Sequence, residues 1–105
     1  MNNNLHDPTK RILDTVAKRI TEISNRQSLI TLTRGIWSKD KKNLTILVSV
    51  LPDSATDTAI EFLTRNKNEL RGALFEEMKL VRIPYLSFAN DEGEENRQAV
   101  DEALL

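Results

Sequence analysis

Cysteine is absent from the 105 residues, which excludes disulfides, thiolate metal sites and cysteine nucleophiles together. The single histidine, His6, lies in a polar opening, Met1-Asn2-Asn3-Asn4-Leu5-His6-Asp7, with no further ligand at useful spacing. Imidazole-based acid–base chemistry therefore has no partner, and nothing matches the spacing of a metal-ligand cluster. Glycine is scarce: Gly35, Gly72 and Gly93 are isolated, so no phosphate-cradling glycine loop can be assembled. No apolar run approaches the ~20 residues that cross a bilayer. The opening segment also lacks the basic and apolar regions of a secretory signal. These absences predict a cytoplasmic chain without cofactor or metal, without membrane contact and without covalent chemistry.

At 39% hydrophobic residues the chain can bury one small core. Its net charge of −1 argues against a nucleic-acid partner until the distribution is considered. Residues 1–89 hold fourteen Lys/Arg against ten Asp/Glu, a net +4. Residues 90–105 hold Arg97 against Asp91, Glu92, Glu94, Glu95, Asp101 and Glu102, a net −5. A basic body (1–89) followed by an acidic tail (90–105) points towards polyanion binding by the body.

The order of elements follows from periodicity and punctuation. Asp7-Pro8 opens a helix, Asp as a cap and Pro in the first turn. Ile12, Leu13, Val16, Ile20 and Ile23 then form one apolar stripe that stops near Ser24-Asn25. Residues 29–37 read as a strand in which Ile30 and Leu32 alternate with Thr31 and Thr33, and Gly35 marks a bulge or a close backbone approach. A polar turn at 38–43 leads to a second strand, 44–51, with Leu44, Ile46, Val48 and Val50 on one face. The pair makes an antiparallel hairpin. Asp53 or Ser54 can cap the next helical stretch, carried by Ile60, Leu63, Leu70, Leu74 and Met78. Arg65-Asn66-Lys67-Asn68 interrupts it, and Asn tolerates the left-handed conformation, so two helices joined by a kink are expected. Residues 80–88 read as a third strand, with Pro84 arguing for an edge or a bulge. The acidic remainder holds at most one turn around Val100, Ala103 and Leu104.

The sequence thus predicts an α+β domain ordered α-β-β-α-(kink)-α-β. Its last strand returns by a crossover to lie beside the hairpin, giving a three-stranded sheet with helices on one face. That order matches a KH domain of the bacterial type, type II.

Particular residues narrow the match. Thr31-Leu32-Thr33-Arg34-Gly35-Ile36-Trp37-Ser38-Lys39-Asp40, followed by Leu44-Thr45-Ile46-Leu47-Val48-Ser49-Val50, resembles the first two strands of the ribosome-binding factor A family. The Ser-x-Asp of that family falls on Ser38-Lys39-Asp40. Leu70-Arg71, then Arg82, Pro84, Leu86, Phe88 and Asp91, resemble its second signature. Ordinary KH domains clamp nucleic acid with a Gly-x-x-Gly loop, which this chain lacks. The resembled family carries an Ala-x-Gly kink instead, and here that kink aligns with Asn66-Lys67-Asn68. The resemblance implies a non-catalytic factor that binds the immature small (30S) ribosomal subunit and its rRNA and promotes 16S rRNA maturation; with no exposed apolar face or heptad seam in the sequence, a monomer is expected. It also implies ribosomal proteins or an assembly GTPase as further partners.

Candidate RNA contacts are basic side chains where the fold brings them outward. Lys39, Lys41 and Lys42 lie on the hairpin turn. Arg65, Asn66, Lys67, Asn68 and Arg71 surround the kink, while Arg11 and Lys18 share a helix face. Arg34 interrupts an apolar strand face, which places it at a sheet edge or in a functional role. Trp37 offers a stacking surface, although an aromatic at a strand end more often packs against the core. Asp40 suits a turn, since its carboxylate bonds readily to nearby amides. The competing reading is a KH-like protein-interaction module that does not bind RNA, and a small hydrolase built around Asp40 is a distant third.

Overall fold

The computed structural model describes residues 7–24 and 27–92. The element order is α1 (Thr9–Ile23), β1 (Leu29–Trp37), β2 (Asn43–Leu51), α2 (Thr56–Arg65), α3 (Lys67–Met78) and β3 (Tyr85–Asn90). The strands form one sheet in the order β1-β2-β3, with β1 antiparallel and β3 parallel to the central β2. This is the expected α+β arrangement, the crossover through α2 and α3 bringing β3 alongside β2. The tail from residue 93 onward, including the expected turn near Val100, lies outside the described residues.

One face of the sheet makes the core. Leu44, Ile46, Val48 and Val50 of β2 and Leu86 and Phe88 of β3 are buried there. Against them pack Ile12, Val16 and Ile20 of α1, Ala59 and Leu63 of α2, and Leu70 and Leu74 of α3. Burying each large aliphatic side chain contributes about 1.5–3 kcal/mol. The helices therefore lie on one face, and the other carries Thr31, Arg34, Thr45, Ser49, Ser87 and Ala89 in register. There the Thr45 and Ser87 hydroxyls bond across the parallel pair at 3.0 Å.

The β1–β2 ladder contains a bulge. Leu32 pairs with Val48 and Arg34 with Leu47, leaving Thr33 as the additional residue. A one-residue insertion exchanges the faces of every side chain beyond it. Ile30 and Leu32 face the helices before the bulge, Gly35 and Trp37 after it. Arg34, which simple alternation would direct inward, thus stands on the open face of an edge strand. The bulge lies two residues before Gly35, whose own constraint is close approach: a Cβ there would lie 2.9 Å from Leu44 Cδ1 and 3.2 Å from Thr9 Cγ2.

Four expectations need correction. The third strand begins at Tyr85, not at residue 80, because β2 starts at Asn43 and offers no strand partner further back. Pro84 consequently precedes the strand, although β3 does occupy a sheet edge. The kink is one residue, Asn66, with φ −101°, and is not left-handed. Its backbone N–H and side-chain Nδ2 both donate to the Phe62 carbonyl, at 3.1 and 2.8 Å, which turns the chain without a positive φ. Neither Asp53 nor Ser54 caps α2 through its side chain; a single 3-10 turn at Asp53–Ala55 leads into the helix instead.

Gly35→Ala forces a methyl group against the fully buried Leu44. Chemical denaturation should find it less stable by about 1–3 kcal/mol.

Candidate nucleic-acid interface

The hairpin turn is held by its own polar side chains. The Ser38 hydroxyl donates to Asp40 Oδ1 at 2.6 Å, and the Lys42 amide donates to the same oxygen at 3.0 Å. Ser38 Oγ in turn accepts from the Asn43 amide at 3.0 Å. These bonds hold the Asp40 carboxyl below the usual carboxylate range, the Ser38 hydroxyl first and the Lys42 amide second. Lys41 takes a left-handed φ of 64° within this frame, its amide donating to the Ser38 carbonyl. Asp40 is thus a turn residue, and Lys39, Lys41 and Lys42 project from a fixed scaffold.

The turn is tied to the start of α1. Trp37 Nε1 donates to Thr9 Oγ1 at 2.8 Å, and Thr9 donates through both its amide and its hydroxyl to Asp7 Oδ1. The Thr9 hydroxyl, then the Thr9 amide, keep the Asp7 carboxyl below its ordinary range. Trp37 is half-buried against the core, so packing is its principal role.

On the other side of the turn lies the connection from α3 to β3. Arg71 donates from Nε to the Pro84 carbonyl at 2.9 Å and from a terminal nitrogen to the Ile83 carbonyl at 3.0 Å. Its guanidinium also sits 4.5 Å from the centroid of the Tyr85 ring, a cation–π distance. Arg71, expected as an RNA contact, is therefore engaged inside the chain and positions residues 83–85.

Hairpin turn, α1 start and connection enclose an open groove of about 890 Å3. Lys41, Lys42, Arg82 and Tyr85 line it, with Trp37 and the engaged carboxylates Asp7 and Asp40. Lys39 is exposed on the same turn without lining the groove.

The remaining candidates lie elsewhere. Arg65 ends α2 and borders a smaller hollow with Ser24, Ser28 and Ile30, at the far end of β1 from the turn. Asn66 is occupied as the helix joint, while Lys67 and Asn68 are exposed in the first turn of α3. Lys18 pairs loosely with Glu77 at 3.9 Å, and Arg11 is exposed on α1. A cation that sequence reasoning missed is Arg19, which joins α1 to α3. It contacts Glu69 at 2.6 Å, Glu76 at 3.2 Å, Glu77 at 3.7 Å and Glu22 at 3.1 Å. Hydrogen bonds to Glu76 and then Glu69 raise its pKa further. Arg82 and Tyr85 were also passed over as contacts, because their segment was read as strand throughout. Among the described residues no group of His, Cys, Asp or Glu is arranged to hold a metal ion, and no helix is long and apolar enough to cross a membrane.

This fold and these signatures have counterparts. The model of ribosome-binding factor A matches residues 4–104. The chain belongs to the ribosome-binding factor A family. Ribosome-binding factor A of Kosmotoga olearia is 33% identical over 78 residues, 73% of this chain but only 62% of that protein. The crystal structure of ribosome-binding factor A from Thermus thermophilus superposes with a TM-score of 0.71 at 22% identity, covering 82% of this chain and 93% of that one. A homology model of the Thermus thermophilus factor, fitted into a cryo-EM map of its complex with 30S, gives 0.65 at 23% identity over 77% and 88% of the two chains. At these identities the structural likeness is one of fold, and the KH-like arrangement of ribosome-binding factor A is the one found here.

Two substitutions test this frame. Ser38→Ala removes the main cause of the low Asp40 pKa, so NMR titration should find that carboxyl moved up towards its ordinary value near 4. A depressed carboxylate stabilises the fold above its unfolded pKa, and that contribution is lost as pH falls through the folded value. The variant should therefore lose stability at neutral pH and show a weaker fall below pH ~4. Arg71→Lys cannot form the two-pronged contact. Thermal and chemical denaturation should find it less stable by about 1–3 kcal/mol, with faster amide exchange at Tyr85.

Proposed function

We propose that this chain is a non-catalytic assembly factor that binds the immature small (30S) ribosomal subunit and promotes 16S rRNA maturation. The family match over residues 4–104 carries the reading. The Thermus thermophilus relative fitted into a 30S complex supports the choice of subunit. Contact with folded RNA runs mainly through phosphates and shape. Lys39, Lys41 and Lys42 reach it from the hairpin turn, and Lys67 and Asn68 from the start of α3. Arg34, Arg65, Arg11 and Lys18 lie on separate surfaces and act only where the RNA wraps further. Asn66 and Arg71 hold neighbouring elements in position. The protein acts as a monomer in the cytoplasm, with ribosomal proteins or an assembly GTPase as further partners.

One observation favours the protein-interaction reading as a second possibility: the α1–α3 surface gathers Glu22, Glu69, Glu76 and Glu77 around Arg19. Such a surface repels RNA and suits a basic protein.

Sedimentation of the protein with purified 30S subunits distinguishes the two. Binding should fall about tenfold or more between 50 and 200 mM salt, since counterion release drives phosphate contacts. Lys42→Glu and Lys67→Glu should each weaken it. Binding indifferent to salt and to both reversals would move the assignment to a protein interface.

A further inference from the structure

The groove beside the hairpin turn combines two features that a general phosphate-binding surface does not need. The first is a fixed and exposed aromatic ring. Tyr85 is 61% exposed, yet its amide donates to the Lys42 carbonyl at 2.9 Å and one ring face carries the Arg71 guanidinium. Arg71 is itself anchored to the Ile83 and Pro84 carbonyls. The ring is thus held on one side by Arg71 before any ligand arrives, and it lines the groove. An aromatic ring held in place beside a groove offers a face on which a planar group can stack.

The second feature is the charge around that ring. Lys41, Lys42 and Arg82 line the groove, and none forms an ion pair among the described residues. The two carboxylates in the wall, Asp7 and Asp40, are occupied by Thr9, Ser38 and the Lys42 amide, and Asp7 also feels the charge of Lys41. Three cations against two carboxylates leave a small positive excess, enough for one phosphate and too little to grip a run of them. Affinity in the groove must come largely from stacking. Its volume of about 890 Å3 lies within the ~300–1,000 Å3 common for small-molecule sites.

We propose that this groove takes one unstacked nucleotide of single-stranded RNA. The base lies on the free face of Tyr85, and the adjoining phosphate sits among Lys41, Lys42 and Arg82. A paired base offers no free face to such a ring, whereas a looped-out or terminal one does. Arg82 and Tyr85 thereby become RNA-contacting residues, and Arg71 a positioning residue acting through Tyr85. The assignment rests on the RNA-binding reading above and adds to it a preference for unpaired RNA.

Fluorescence anisotropy with a labelled single-stranded RNA oligomer, and with the same strand in a duplex, tests the proposal. The single strand should bind the tighter of the two. Tyr85→Leu should weaken its binding about tenfold, the scale of one lost base–aromatic stack, while Tyr85→Phe retains it. The salt slope should be unchanged in Tyr85→Leu and shallower in Arg82→Gln. Thermal unfolding of each variant verifies that the fold is kept, and Tyr85→Phe separates the ring from its hydroxyl. Equal binding of single strand and duplex, or wild-type affinity in Tyr85→Leu, would overturn the groove assignment. If 30S sedimentation remains salt-sensitive in that event, the assembly-factor reading stands and only the groove fails. If the wild type binds neither oligomer nor subunit, both fail.

Discussion

A single additional residue in an edge strand, Thr33, determines which side of β1 meets the helices. Were Thr33 paired in regular alternation instead of forming this bulge, Arg34 would face the core and Trp37 the open side. With it, Gly35 comes close to Leu44, and Trp37 reaches Thr9 at the start of α1. The Thr33 hydroxyl lies 3.1 Å from the Leu47 carbonyl and 2.5 Å from an Asp91 oxygen, so the bulge is also tied to the chain just beyond β3. The attachments of hairpin, first helix and final strand all depend on this local change of phase. Bulges aim side chains, and here the aim brings the hairpin turn and the start of α1 to one end of the sheet.

Much of the fold was legible because the core obeys simple periodicities. The stripe from Ile12 to Ile23 and the alternation from Leu44 to Val50 admit few other readings. The break at Asn66 could be located because four consecutive residues lacked an apolar member. What could not be read were features created by tertiary contact. The bulge disturbs an alternation that looked continuous, and residues 80–84 have strand composition but no strand beside them. The chemistry of the site was legible at the turn, where Ser38 and Asp40 lie close in sequence. It was hidden at Arg71 and Tyr85, whose contact arises from a helix meeting a connection more than ten residues away. Arg19 was equally invisible, since three of its four carboxylate partners belong to α3.

The distribution of cations now has a structural account. Arg19 and Arg71 serve the fold, holding α1 to α3 and α3 to the connection before β3. Arginine suits both places, because its planar fork can satisfy two oxygens at once. The cations left without such duties include the lysines at the turn and at the start of α3, together with Arg11, Arg34, Arg65 and Arg82. A lysine is a mobile point charge that adapts to irregular phosphate positions. The basic excess of residues 1–89 therefore overstates the charge available to a partner, and its densest part lies at the hairpin turn.

Asn66 closes α2 and opens α3 with no residue between them. Its amide and side chain hold the Phe62 carbonyl, and its own carbonyl accepts the Leu70 amide at 3.0 Å. The joint is hydrogen-bonded on both sides, so the two helices meet directly, with no linker between them. Lys67, placed directly after that elbow, is presented on a stiff mount. A glycine-containing joint would have to be ordered by its ligand, with an entropic cost at each encounter. In this chain the hydrogen bonds of Asn66 supply that ordering within the fold itself.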